Sequence, residues 1–150
     1  MSGNAFSSKA GEYLGQALCE NPNYTIFKVS FAETSLEDIG LVRIIEAVNL
    51  NKHIIKLNVG ILTDNGLERL ADLLKENTSL EEITIEETKD HQKYWSDLGR
   101  QSFCRMLKCF TQIKKVKIVT ARDYSDEEEK VKHDCFLQEI DFYTHIKSAE

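Results

Sequence analysis

One line of residues returns four times along this 150-residue chain: an apolar helix face, in three copies an asparagine, then apolar–x–x–apolar–x–apolar. The clearest copies are Leu70-Leu73-Leu74-Asn77-Leu80-Ile83-Ile85 and Ile44-Ala47-Val48-Asn51-Ile54-Leu57-Val59. An earlier copy reads Leu14-Ala17-Leu18-Asn21-Tyr24-Phe27-Val29, and a later one reads Phe103-Met106-Leu107-Phe110-Ile113-Val116-Ile118. Such repetition constrains the fold more than any single motif, because one unit cannot bury its apolar face without a stacked neighbour. Each unit predicts a helix, a turn and a short strand. Strands that return in the same direction through a helix form a parallel sheet.

Within each unit the apolar residues three and four apart fall on one helix face. Leu67, Leu70, Leu73 and Leu74 make that face in the third unit, with Glu68, Arg69, Asp72 and Lys75 turned to water. Asp64 and Asn65 are candidate N-caps there, and Gly66 permits a tight entry. Ala17 and Ala47 are small residues at one helix position, which predicts close approach of helix and strand. Asn21, Asn51 and Asn77 suit helix C-termini because asparagine tolerates left-handed backbone. Phe110 breaks that pattern in the fourth unit.

The tail reads two ways. Leu137-Ile140-Phe142 overlays Leu80-Ile83-Ile85, which predicts a fifth strand. The alternative is a C-terminal helix opening at the capping-box pattern Ser125-x-x-Glu128 and burying Val131, Cys135, Ile140 and Tyr143. Short apolar runs suit either element, and the strand is the favoured reading. Either would shield the open end of the array.

The chain is 41% hydrophobic and 29% charged, the balance of a folded domain and not of a disordered chain. Its net charge of −6 argues against nucleic acid, whose binders concentrate positive charge. No apolar run approaches the ~20 residues that cross a bilayer, and the N-terminus lacks a signal-peptide core. Cys19, Cys104, Cys109 and Cys135 form no C-x-x-C pair, so no metal or cofactor is expected, and a reduced cytoplasmic setting suits free thiols. His53, His91, His133 and His145 stand apart, and no nucleophile-elbow, phosphate-loop or H-E-x-x-H motif occurs. The expectation is that the chain is not an enzyme.

Residues between the inward apolar positions of the strands would form the concave face. One row reads Ile26, Lys56, Glu82, Lys115 and, with a fifth strand, Glu139; the next reads Lys28, Asn58, Thr84, Lys117 and Asp141. A ladder of alternating charge neutralises itself and is mostly a solvated surface, with a recognition stripe as the sharper alternative. The fourth unit carries extra residues, 86–97, with Tyr94 and Trp95. Insertions in repeat arrays map to one face, often the binding face. Trp95 is either an exposed hot spot there or a residue packed under the loop.

Unit lengths from Tyr24 to Ile54, Leu80 and Ile113 are 30, 26 and 33 residues, near the long class of leucine-rich repeat. Residues 66–83, read as G-L-x-x-L-x-x-L-L-x-x-N-x-x-L, resemble the ribonuclease-inhibitor-like subfamily of leucine-rich-repeat proteins. They are especially similar to repeats of tropomodulins and leiomodins, proteins of the actin pointed end, and also to those of NOD-like receptors. The resemblance covers roughly residues 10–120. It implies an α/β fold: a short solenoid, or horseshoe arc, with a parallel sheet of four to five strands on the concave side and helices on the convex side. Residues 1–150 would be a single such domain, with an N-terminal helix at about 9–20, repeats to about 120 and a capping segment at about 121–150. Two departures stand out. Ala32, Leu62, Thr88 and Ala121 replace the asparagine that usually follows the strand. The residues before position 10 are also too few to hold the N-terminal tropomyosin- and actin-binding region of tropomodulins.

The expected function is therefore a protein-interaction module whose partner meets Lys28, Lys56, Asn58, Glu82, Thr84, Lys115, Lys117, Tyr94 and Trp95. The alternatives are an assembly subunit of a larger complex and a tropomodulin-like actin filament regulator, actin being the partner that the resemblance implies.

Overall fold

Leu67, Leu70 and Ala71 form a buried stripe on one helix face, and Leu57, Val59, Ile83 and Ile85 form the buried side of two strands. Bringing the two together makes the centre of the core. A computed structural model describes residues 5–6, 8–20, 28–30, 35–36, 38–87, 95–109, 112–120 and 126–149. In chain order the elements are β1 (Ala5–Phe6), α1 (Ser8–Glu20), β2 (Lys28–Ser30), β3 (Ser35–Leu36), α2 (Asp38–Leu50) and β4 (Lys56–Leu62). There follow α3 (Asp64–Leu73) with a 3-10 turn at Leu74–Glu76, β5 (Glu82–Glu87), α4 (Asp97–Cys109), β6 (Lys115–Val119) and α5 (Glu127–Ala149).

The described pairings are all parallel. The extended part of the sheet is the three-stranded ladder β4–β5–β6, while β2 and β3 are short segments pairing with β4, and β1 pairs with β3. Helices pack side by side, α1 on α2, α2 on α3, α3 on α4 and α4 on α5. The repeat geometry is visible in the backbone: Glu81 N–H donates to Ile55 O, and Lys114 N–H to Glu81 O, each at 2.8 Å. Residues 55, 81 and 114 thus occupy one position in successive units.

The asparagines work differently from expectation. Asn77 has φ −81° and ψ 137°, an extended conformation and not a left-handed one. Its Oδ1 accepts hydrogen bonds from Ser79 N–H (3.0 Å) and Leu80 N–H (2.8 Å), and its Nδ2 donates to Asn49 Oδ1 at 2.9 Å. Asn51 Oδ1 accepts likewise from His53 N–H at 3.0 Å. Both side chains are buried, so the repeated asparagine replaces backbone partners lost where helix gives way to strand. Asn21 and Phe110 lie outside the described residues.

Helix entries also shift by a residue. Thr63 caps α3, its Oγ1 accepting from Gly66 N–H at 3.1 Å. Asp64 instead reaches to the next unit, where its Oδ1 accepts from Ser96 N–H (2.7 Å) and Ser96 Oγ (2.9 Å). Ala47 is buried as expected, but Ala17 is exposed. α1 comes close to α2 at Gly15, where a Cβ would lie 2.7 Å from Arg43 Cβ.

The expected fifth strand is a helix. Asp126 precedes α5 and caps it, its Oδ1 accepting from Glu128 N–H (3.0 Å) and Glu129 N–H (3.2 Å). Ser125 lies outside the described residues. The buried face of α5 is His133, Phe136 and Ile140, at the three- and four-residue spacing of a helix. Val131 and Cys135, expected inside a C-terminal helix, are exposed, and Phe142, expected inside a strand, is 60% exposed. Phe136 packs edge-on against Trp95 and Phe103, at ring-centroid distances of 5.9 and 6.2 Å.

Candidate functional site

Because side chains alternate across a strand, the buried residues of β4 and β5 leave Lys56, Asn58, Glu82 and Thr84 on the opposite face of the sheet. Register sets them in rows. Lys28, Lys56, Glu82 and Lys115 are consecutive partners across β2, β4, β5 and β6. Ser30, Asn58, Thr84 and Lys117 form the next row. Both rows correct the expectation at their ends. Lys28 stands where Ile26 was expected, a slide of two residues. Glu139 and Asp141 belong to α5 and to neither row.

The slide changes the make-up of the row. The first row now has lysines at three of its four positions, with Glu82 the single carboxylate. Glu82 lies between two lysines and pairs with Lys56 (Nζ–Oε1 3.4 Å), both side chains over a third exposed at 42% and 35%. Such a pair is worth about 0–1 kcal/mol. Lys115 and Lys117 are exposed, and no ion pair joins either to another described residue. Lys56, Asn58, Glu82, Thr84, Glu86 and Lys117 line an open hollow of about 380 Å³, with Lys115 outside its lining.

Asn58 has a local task as well. β4 carries one extra residue between its pairings at Asn58 and Ile61, a bulge that Gly60 makes with φ 76°. Gly60 N–H donates to Asn58 Oδ1 at 2.8 Å, which fixes that carboxamide. The bulge lets Val59 and Leu62 both turn inward.

Trp95 is not an exposed aromatic. It is 4% exposed, its Nε1–H donates to Leu62 O at 3.0 Å, and its ring meets Phe136. It is a packing residue joining the end of β4 to α5. Tyr94 lies outside the described residues, as does the side chain of Lys28.

A second polar cluster escaped sequence reasoning. His133, expected to stand alone, has Nδ1 3.0 Å from Glu87 Oε1 and Nε2 3.1 Å from Thr120 Oγ1. Its side chain is 5% exposed and that of Glu87 3%. Buried polar groups require partners, and this set ties α5 to the ends of β5 and β6. Nearby, Arg100 Nη1 lies 3.8 Å from Glu129 Oε2. No local pattern announces these contacts, since their members come from different units. Cys104 is buried under α5, and burial, with Glu139 beside it, pushes its thiol up to about 12. Among the described residues no group of three or more His, Cys, Asp or Glu residues is placed to hold a metal ion, and no helix is long and apolar enough to cross a membrane.

No protein-family model matches the sequence, and comparison with curated proteins finds no match. Solved structures do match. The chain shares its fold with leiomodin-1. The likeness to the structure described as leiomodin-1 actin-binding site 2 has a TM-score of 0.61 over 99% of this chain and 86% of that one, at 15% identity. The tropomodulin C-terminal domain of Caenorhabditis elegans is similar at 13% identity and a TM-score of 0.45, covering 93% of this chain and 98% of that one. At 15% identity the leiomodin likeness concerns architecture, and it carries no residue role across. In this leiomodin-like α/β fold, helices cover one face of the parallel ladder and charged residues lie open on the other.

Proposed function

We propose that this chain is a non-enzymatic protein-interaction module, a short solenoid of residues 1–150 that binds a partner protein on the open, concave face of its sheet. One observation carries the reading. Parallel sheets are ordinarily covered on both faces, yet here the face of Lys56, Glu82, Thr84, Lys115 and Lys117 is polar and accessible. Solenoids use such faces for binding. The assignment to ribonuclease-inhibitor-like repeats rests on the repeat line, and a cytoplasmic setting on the free thiols.

A photo-crosslinking residue at Thr84 tests the face, with one at Arg69 on the exposed side of α3 as the control. Crosslinks in native extract are expected from position 84 and not from 69. Equal labelling from both, or labelling only from 69, refutes the choice of face. An assembly subunit docking through sheet edges is the weaker reading, because α5 packs beside the terminal strand β6. Actin regulation draws support from the leiomodin-1 likeness. Pointed-end elongation unchanged by saturating protein would remove that second reading.

A further inference from the structure

The sheet face carries its own indication of partner chemistry. Among the described side chains, Lys56, Lys115 and Lys117 stand in two adjacent rows against one glutamate, Glu82. Glu86 adds a second carboxylate to the hollow, at 9% exposure. Three lysines against two carboxylates leave the described face net positive by one, on a chain of net charge −6. With Glu139 on α5 and outside the sheet, the first row no longer cancels its own charge.

We propose that this face receives an extended acidic segment of a partner protein, with carboxylates on Lys115 and Lys117 and a further contact at Lys56. The proposal rests on the sheet face being the docking surface. Lys115 and Lys117 are two residues apart on one strand, which sets them roughly 7 Å apart on the same side. Alternate side chains of an extended segment repeat at the same distance, so acids at positions i and i+2 meet both lysines. Glu82 already neutralises Lys56 in part, which leaves β6 as the stronger anchor. Thr84 lies half-exposed between the lysines and offers a hydroxyl to the backbone of the segment. Lysine ammonium groups take carboxylates in many orientations, unlike the fixed fork of arginine, and suit acidic composition over strict sequence. A long polyanion such as nucleic acid would run from this patch onto a surface of opposite preference, given a pI near 5.3.

The test uses the full chain and a fluorescein-labelled peptide with glutamate at alternate positions, read by fluorescence anisotropy. The unmodified protein should bind it, and raising salt from 50 to 300 mM should weaken binding several-fold, as exposed charges require. The double variant Lys115→Glu/Lys117→Glu should lose at least tenfold. Glu82→Gln should gain two- to fivefold, because it frees Lys56; this variant remains informative should the double variant fold poorly. No binding of the peptide, equal binding by the double variant, or tighter binding of a single-stranded oligonucleotide than of the peptide each overturns the proposal. Crosslinking from Thr84 to a partner without peptide binding would leave the docking face standing and sink its acidic specificity.

Discussion

Replacing Asn77 separates two explanations of the repeated asparagine. On the left-handed-backbone explanation, Asn77→Gly is harmless, since glycine adopts that conformation most readily. The observed backbone is extended, and the side chain accepts from Ser79 and Leu80 and donates to Asn49. Asn77→Ala then strands the buried Leu80 N–H, while water can reach the Ser79 amide more readily. An unsatisfied buried group costs about 1–3 kcal/mol, and the lost contact to Asn49 adds about 1 kcal/mol. The expected loss is about 2–4 kcal/mol, which for a chain of this size lowers Tm by about 5–15 °C. Asn77→Gly should cost as much or slightly more, because glycine adds chain entropy on unfolding. Asn77→Asp keeps the acceptor and should fall between the wild type and alanine. Urea unfolding followed by circular dichroism measures all three, with unchanged m-values marking a pure stability effect. A glycine variant within about 0.5 kcal/mol of the wild type would refute the reasoning.

Phe136→Ala should destabilise the protein by about 3–5 kcal/mol, since it empties the contact between α5, Trp95 and Phe103. The same variant should shift Trp95 fluorescence to the red, and an unchanged emission maximum would contradict the burial of the indole. Cys104, with its thiol held near 12 against an ordinary 9, should resist iodoacetamide at pH 8 while exposed Cys109 and Cys135 react. The folded state binds that proton more tightly than the unfolded chain, so this contribution is complete below pH 9 and lost as pH rises toward 12. Cys104→Ala should flatten the alkaline limb of the stability curve; an unaltered limb assigns it to other groups.

The repeat line predicted much of the core. Ile44, Val48, Ile54, Leu57, Val59, Leu70, Leu74, Leu80, Ile83, Ile85, Phe103, Leu107 and Ile113 are all buried as their spacing requires. Periodicity succeeds there because each long unit contains both a 3.6-residue and a 2-residue pattern, which together leave one solution. The first unit is less faithful, with Leu14 exposed on α1. In the tail, apolar residues at 136, 137, 140 and 142 satisfy either period. Burying Phe136 and Ile140 against Trp95 and Phe103 selects the helix, and only tertiary contact supplies that surface.

From the sequence alone come the helix–strand alternation, the parallel direction of the strands and the apolar residues between them. These follow from local periodicity and chain connectivity. The order of charges on the open face did not follow, for a specific reason. Sliding a strand by two residues returns every side chain to the same face, so hydrophobic pattern fixes which residues point outward but not which stand side by side. Pairing in three dimensions put Lys28 beside Lys56 and removed Glu139 from the sheet. The same kind of long-range meeting placed His133 against Glu87 and hid Trp95 beneath α5.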